Sequence, residues 1–157
     1  MAEKPTAADA EVILKLYDLR REAEMRKARH WWLTQFWPET AEDVMKIGMN
    51  LGTQENNWLR QVTGYWEMAA SMANRGAVNA DLFLEPSFSG EMFFLFAKIQ
   101  PVLKDLREKM QAPTMLKNVE TLINSTPASQ EFLKTTLNRV AQRRAALNEQ
   151  KTVAKAS

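Results

Sequence analysis

The sequence contains no cysteine and a single histidine, His30, among its 157 residues. The lack of thiols excludes disulfides, zinc–thiolate sites, iron–sulfur clusters and cysteine nucleophiles. One imidazole falls short of the two or three that a histidine-based metal site uses, and a Ser-His-Asp unit would have to be built on His30. We therefore expect no catalytic residue, no metal ligand and no cofactor, and we favour a protein that is not an enzyme.

Glycine and proline are scarce, and neither an Asn-Gly nor an Asp-Gly hairpin signal occurs. The longest apolar cluster, residues 92–97, is far shorter than the run of about 18 that a membrane-spanning helix needs. The first five residues, Met1 to Pro5, include the charged Glu3 and Lys4 and open no apolar segment, which is not the pattern of a signal peptide. The sequence predicts an all-α, cytoplasmic protein: a single-domain helical bundle over residues 1–150, with a frayed basic tail over residues 151–157.

Capping and stop signals predict five to six helices, of which the N- and C-terminal ones are long. The first helix has a predicted N-cap at Thr6, spans residues 7–37 without a breaker and ends before Pro38. The later predicted starts are Thr40, Thr53, Asn79 for a short turn, Ser87 or Ser89, Pro113 and Thr126, and the last helix reaches about Asn148. Gly76 is predicted to end the third helix in a left-handed cap.

Charge is segregated along the chain although the net charge is only +2. Residues 38–97 hold three basic and eight acidic side chains, whereas residues 98–157 hold eleven and five. This pattern favours docking of the acidic segment on the basic one, within one chain or between subunits. The net charge is too small to predict a general polyanion binder.

The stretch from Trp58 to Lys109 resembles a family of uncharacterised bacterial helical proteins, a domain of unknown function. The resemblance is carried by Tyr65-Trp66-Glu67, by the turn from Asn74 to Asn79, by Leu82-Phe83, and by Lys98-Ile99-Gln100-Pro101 leading into Leu106-Arg107. It implies an all-helical fold and assigns no catalytic residue. Some similar proteins carry an N-terminal membrane anchor, but the first helix of this chain is too charged to span a bilayer.

The most unusual segment carries four large aromatic residues within seven positions: Trp31, Trp32, Phe36 and Trp37. At 100° per residue these side chains cannot all lie on one face of a helix. They are either wedged between neighbouring helices of the core, or placed at a contact between two copies of the chain, or exposed to a membrane surface or a nucleic acid. We name them as the candidate interface of a homodimer, because two-fold dimers are the commonest oligomers.

Two further sets of residues are candidates for a site. A pocket between helices 54–75 and 89–110 would be lined by Trp58, Tyr65, Trp66, Glu67, Phe93 and Phe96. Arg139, Arg143 and Arg144 form a candidate anion contact on the last helix, but a solvated face and a helix C-terminus that favours cations explain them more simply. His30 is expected to be partly buried and hydrogen-bonded locally.

We expect a non-enzymatic protein-interaction module that self-associates and has a further, unidentified protein partner. The first alternative is a small-molecule-binding protein or enzyme that uses the aromatic pocket. The second is a peripheral membrane or nucleic-acid-binding protein that uses the tryptophans or the basic last helix.

Overall fold

A computed structural model describes residues 4–156 and contains eight helices and no strand within that range. The all-α prediction is therefore confirmed, with more helices than the five to six expected. Met1 to Glu3 and Ser157 lie outside the described residues. The first three belong to the segment on which the signal-peptide prediction rests, and Ser157 is the last residue of the predicted tail. The helices are α1 (Ala7–Leu19), α2 (Ala23–Thr34), α3 (Ala41–Gly48), α4 (Gln54–Asn74), α5 (Ala80–Phe83), α6 (Pro86–Lys109), α7 (Lys117–Ile123) and α8 (Pro127–Ala156).

The prediction of one unbroken helix over residues 7–37 is wrong, because the chain turns between α1 and α2. Arg20 ends α1, and its guanidinium donates to the carbonyl of Phe88 on α6, 3.2 Å away. The Glu22 carboxylate then caps α2 by accepting from the backbone N–H groups of Glu24 and Met25. The charged middle of the predicted helix thus supplies both a tertiary anchor and a new N-cap.

Most of the predicted caps are present. Thr6 and Thr40 form capping boxes with Asp9 and Asp43, and Thr53 and Asn79 cap α4 and α5. Gly76 follows α4 with a left-handed φ of 74°, as glycine allows at that position.

Three boundaries differ from the prediction. Pro86 opens α6 at its first turn, where a missing N–H is tolerated, so the helix starts before Ser87. α7 begins at Lys117, three residues after Thr114, because Leu116 takes a left-handed φ of 53°. α8 continues to Ala156, beyond the expected end near Asn148, and its last turns are exposed.

The core forms where the long helices pack in pairs, α2 on α4 and α6 on α8, with α7 against α4 and α3 across both α4 and α6. Its largest fully buried side chains include Trp66, Phe93 and Phe96. The rings of Tyr65 and Trp66 meet edge to face at 4.9 Å between centroids, and those of Phe93 and Phe132 at 4.7 Å. Edge-to-face packing of this kind adds to the stabilisation from burial.

One buried carboxylate, that of Glu91 on α6, joins four helices. It forms ion pairs with Arg20 at 3.3 Å and Arg29 at 2.7 Å, and it accepts from the Trp66 indole N–H at 3.2 Å. Since Arg20 ends α1, Arg29 lies on α2 and Trp66 lies on α4, this cluster fixes the corner between the first two helices against the core.

Replacing Trp66 with alanine should lower the free energy of unfolding by about 3–5 kcal/mol, because the side chain is 1% exposed and its loss leaves a cavity. Met68→Ala on the same helix is the matched control. That side chain is 47% exposed, so its loss should change stability by less than about 0.5 kcal/mol. Denaturant melts of both variants measure the difference, and equal losses would contradict the burial assigned to Trp66.

Candidate functional site

An apolar cavity of about 400 Å³ opens to solvent between α3, α4, α6 and the turn that precedes α7. It therefore lies between the two helices where the sequence predicted a pocket. Its apolar lining consists of Trp32, Val44, Leu51, Leu59, Ile99, Leu106, Met110, Met115 and Leu116, and its polar or charged lining of Arg60, Thr63 and Glu67. Cavities of this size with few polar groups are typical of sites for small molecules.

Two glycines in helices, Gly48 and Gly64, leave the space that the cavity occupies. A Cβ atom added at Gly64 would meet no atom within 4 Å, and one at Gly48 would meet only Leu59, at 3.8 Å. Glycine in a helix interior costs about 1 kcal/mol relative to alanine, so neither residue favours the helix that holds it. Neither glycine was named as a site residue from the sequence. Gly64 lies inside the predicted helix 54–75, and a glycine at such a position can indicate that a larger side chain would fill a required space.

The cavity wall from α3 is held by a buried amide. Asn56 on α4 is fully buried, and its side-chain N–H₂ donates to the carbonyls of Ile47 and Gly48, each at 2.9 Å. These carbonyls lie at the end of α3; that of Ile47 also accepts from the Asn50 backbone N–H at 3.1 Å, and the two bonds from Asn56 fix the end of α3 beside α4. Leu51 follows in the next turn and is 72% exposed at the cavity mouth.

The opposite wall depends on Glu67. Leu116 provides no side-chain cap for α7, and Glu67 on α4 supplies one instead. Its carboxylate accepts from the backbone N–H groups of Asn118 at 2.9 Å and Val119 at 3.1 Å, and from the Asn118 side chain at 2.8 Å. Negative charge at a helix N-terminus is stabilised in this way. Glu67 is therefore a cavity-lining residue whose oxygens are already engaged.

The turn between α6 and α7 is fastened by Arg107. Its guanidinium donates to the Met115 carbonyl at 2.7 and 3.0 Å and forms an ion pair with Glu120 at 3.1 Å. Met115 and Leu116, which line the cavity, are thereby held on the scaffold.

Behind the cavity lies a fully buried lysine, Lys98 on α6. Its Nζ atom donates to the carbonyl of Trp32 at 2.5 Å and lies 3.9 Å from the centre of the Trp37 ring. Burial, together with the neighbouring cation of Arg144, lowers the pKa of Lys98 to about 7. Lys98 thus holds the end of α2, where the Trp32 ring forms part of the cavity wall.

Only one of the six candidate pocket residues, Glu67, lines this cavity. Trp66, Phe93 and Phe96 are packed in the core, where their rings leave no space for a ligand. Tyr65 is also buried; its hydroxyl donates to the Leu16 carbonyl at 2.6 Å, and burial raises its pKa to about 12. Trp58 is partly buried and lines a surface groove next to the cavity.

The candidate interface residues lie largely inside the single chain. Trp31, Trp32 and Phe36 are buried, and Trp37 is partly buried. The rings of Trp31 and Phe36 stack at 4.7 Å between centroids, and Trp37 meets Phe94 edge to face at 5.9 Å. Of the alternatives, the structure thus places this cluster between helices of the core. Self-association itself stays a prediction.

The three arginines of the candidate anion contact separate into two groups. Arg139 and Arg143 are exposed on α8. Arg144 instead donates to the carbonyls of Pro38 and Lys98, so it ties α8 to the core. His30, expected to be partly buried, is exposed on α2.

No helix within residues 4–156 has the length and hydropathy to cross a membrane. In that same range, no group of three or more histidine, aspartate or glutamate side chains is placed to hold a metal ion.

The model of a protein family described as a domain of unknown function (DUF4760) matches residues 5–126. This confirms the resemblance found over residues 58–109 and extends it over most of the chain. Neither a curated protein nor a solved structure matches the sequence. Every residue that lines the cavity falls inside the matched range, whereas α8 follows it.

Lys98 should make stability depend on pH. In the unfolded chain its pKa returns to about 10.5, so from about pH 7 upward the unfolded state binds the additional proton. The free energy of unfolding should therefore rise with pH, by up to about 1.4 kcal/mol per unit between about pH 7 and pH 9. Above that range ionisation of Tyr65, whose pKa is raised, acts in the opposite direction.

Lys98→Met should abolish this rise, because it removes the titrating group. Lys104→Met, an exposed lysine on the same helix, is the matched control and should keep it. Denaturant melts across the pH range measure the slope. A flat profile for the unaltered protein, or the same slope in the Lys98 variant, would contradict this assignment.

Proposed function

Because the chain belongs to the DUF4760 family, a domain of unknown function, we propose its function from its own site: it binds a small apolar molecule in the cavity between α3, α4, α6 and α7. The observation that carries this proposal is the cavity itself, about 400 Å³ of almost wholly apolar lining that is open to solvent. A concave, almost wholly apolar surface with a few polar groups at its edge is the usual form of a site for a small molecule.

The arrangement of the polar groups supports binding and not catalysis. Thr63 donates its hydroxyl hydrogen to the Leu59 carbonyl at 2.6 Å, and the oxygens of Glu67 accept three hydrogen bonds from α7. Neither is paired with a base or a nucleophile at the cavity. The remaining charged group is Arg60, which serves to bind and orient.

The walls are rigid enough to keep the cavity open. Asn56 fixes the end of α3, Glu67 and Arg107 fix α7 and its preceding turn, and Lys98 fixes the end of α2. A pre-formed site avoids the ordering cost of a flexible one, and this strengthens binding.

Self-association and a protein partner, our leading expectation from the sequence, remain a second proposal for the same surface. Met49 and Leu51 are 67% and 72% exposed, and Leu51 borders the cavity mouth. A second copy of the chain would have to cover them, since the tryptophan cluster is already buried. The membrane and nucleic-acid alternatives keep as support the exposed basic residues of α8, among them Arg139 and Arg143.

The test uses N-phenylnaphthylamine, a neutral apolar fluorophore whose emission increases when it enters an apolar site. We expect saturable binding with one site per chain. Gly64→Leu should weaken binding by at least about tenfold, because the added side chain occupies the cavity. The variant should not lose stability, since leucine favours a helix interior over glycine by about 0.8 kcal/mol.

Gly90→Leu is the matched control. Gly90 also lies inside a helix, α6, and a Cβ atom there meets no atom within 4 Å, but it does not line the cavity. This variant should bind the fluorophore as the unaltered protein does. Absence of saturable binding, or equal binding by both variants, would contradict the proposal.

Sedimentation equilibrium on the same samples separates the two proposals. A monomer that binds the fluorophore supports the small-molecule site. A dimer that excludes the fluorophore and dissociates on Leu51→Glu would show that a second copy occupies the surface, and would overturn the small-molecule proposal.

A further inference from the structure

We infer that the ligand of this cavity is an amphipathic acid: an apolar body inside the cavity and a single anionic group paired with Arg60 at its mouth. This inference rests on the proposed function and adds the chemical class of the ligand. It is carried by the position of Arg60, which lines both the apolar cavity and a second, polar groove beside it.

The second groove is open, has a volume of about 680 Å³, and lies along the N-terminal part of α4. It presents the neutral amides of Gln54, Asn57 and Gln61. The site thus changes from apolar to polar along its length, and Arg60 stands at the junction. A ligand that fills both parts must be apolar at one end and polar at the other.

Charge at the junction selects the sign of the polar end. The two other charged side chains that line the cavity or the groove are Glu67 and Glu24. The Glu67 carboxylate accepts hydrogen bonds from the N-terminus of α7, and Glu24 forms an ion pair with Lys27 at 2.6 Å. Arg60 is exposed and, within residues 4–156, has no carboxylate at ion-pair distance, so its guanidinium is free to pair with an anionic group of a ligand.

The N-terminal end of the α4 dipole carries partial positive charge, the same sign as the charge of Arg60. The groove borders the first turn of α4, where the partial positive charge of the helix N-terminus favours an anion and is met in part by Glu55 of the same turn. A guanidinium also matches the geometry of carboxylate, sulfate and phosphate oxygens, with which it forms two parallel hydrogen bonds. These anionic groups therefore share the chemistry that the junction recognises.

The test compares three ligands with one apolar body: octanoate, octanol and octylammonium, titrated by calorimetry at neutral pH, where the carboxylate is ionised. Octanoate should bind about tenfold more tightly than octanol, and octylammonium more weakly than either. Raising the salt concentration should reduce the advantage of octanoate, because ions screen an exposed pair. Sodium octyl sulfate and octyl phosphate then rank the three acidic groups.

Arg60→Gln should bring the affinity for octanoate down to that for octanol, because the group that pairs with the carboxylate is lost. Arg139→Gln, which removes an exposed arginine of α8, is the matched control and should leave both affinities unchanged. Loss of octanoate preference in the Arg139 variant would move the anion contact to α8 and overturn the inference.

The two proposals fail in different ways. If octanol binds in the cavity and octanoate binds no more tightly, the inference is wrong while the proposed function stands. Tighter binding of octylammonium, or an equal loss of both affinities in the Arg60 variant, also overturns the inference. If none of the three ligands binds, the proposed function fails and the inference fails with it.

Discussion

The buried carboxylate of Glu91 is the contact on which the arrangement of the helices depends. It accepts from Arg20, Arg29 and Trp66, so residues of α1, α2 and α4 meet it on α6. A carboxylate removed from water is stable only when its oxygens are fully hydrogen-bonded, and these three donors meet that requirement together. The corner between α1 and α2 follows from the same contact, because Arg20 reaches α6 only where the first helix ends.

Helix α4 divides the molecule into a closed side and an open side. Val62, Trp66 and Ala69 are buried in the core, while Arg60, Gly64 and Glu67 recur at the spacing of one helix face and line the cavity. The space on the open side persists because polar contacts hold each neighbouring element in place: Asn56 for α3, and Glu67 for α7. Together these contacts keep an apolar surface exposed to solvent that hydrophobic packing alone would close.

Local signals in the sequence predicted the helices well. Thr40, Thr53 and Asn79 cap the helices that follow them, since such caps depend on neighbouring residues alone. The break at Arg20 was missed because its cause is a contact with Phe88 and Glu91, distant in the sequence. The cavity lies between the two helices expected to form a pocket but has a different lining, because large aromatic residues fill space, whereas a cavity forms where side chains are small.

We expect the lining of the cavity to be the surface that binds a ligand. Nuclear magnetic resonance of methyl groups tests it directly, as octanoate is titrated into the protein. We predict shifts confined to the methyl groups of Val44, Leu59, Leu106 and Met115 around the cavity, with those of Leu133 and Val140 on α8 unchanged. Shifts spread over both sets, or found on α8 alone, would show that the ligand does not bind in the cavity.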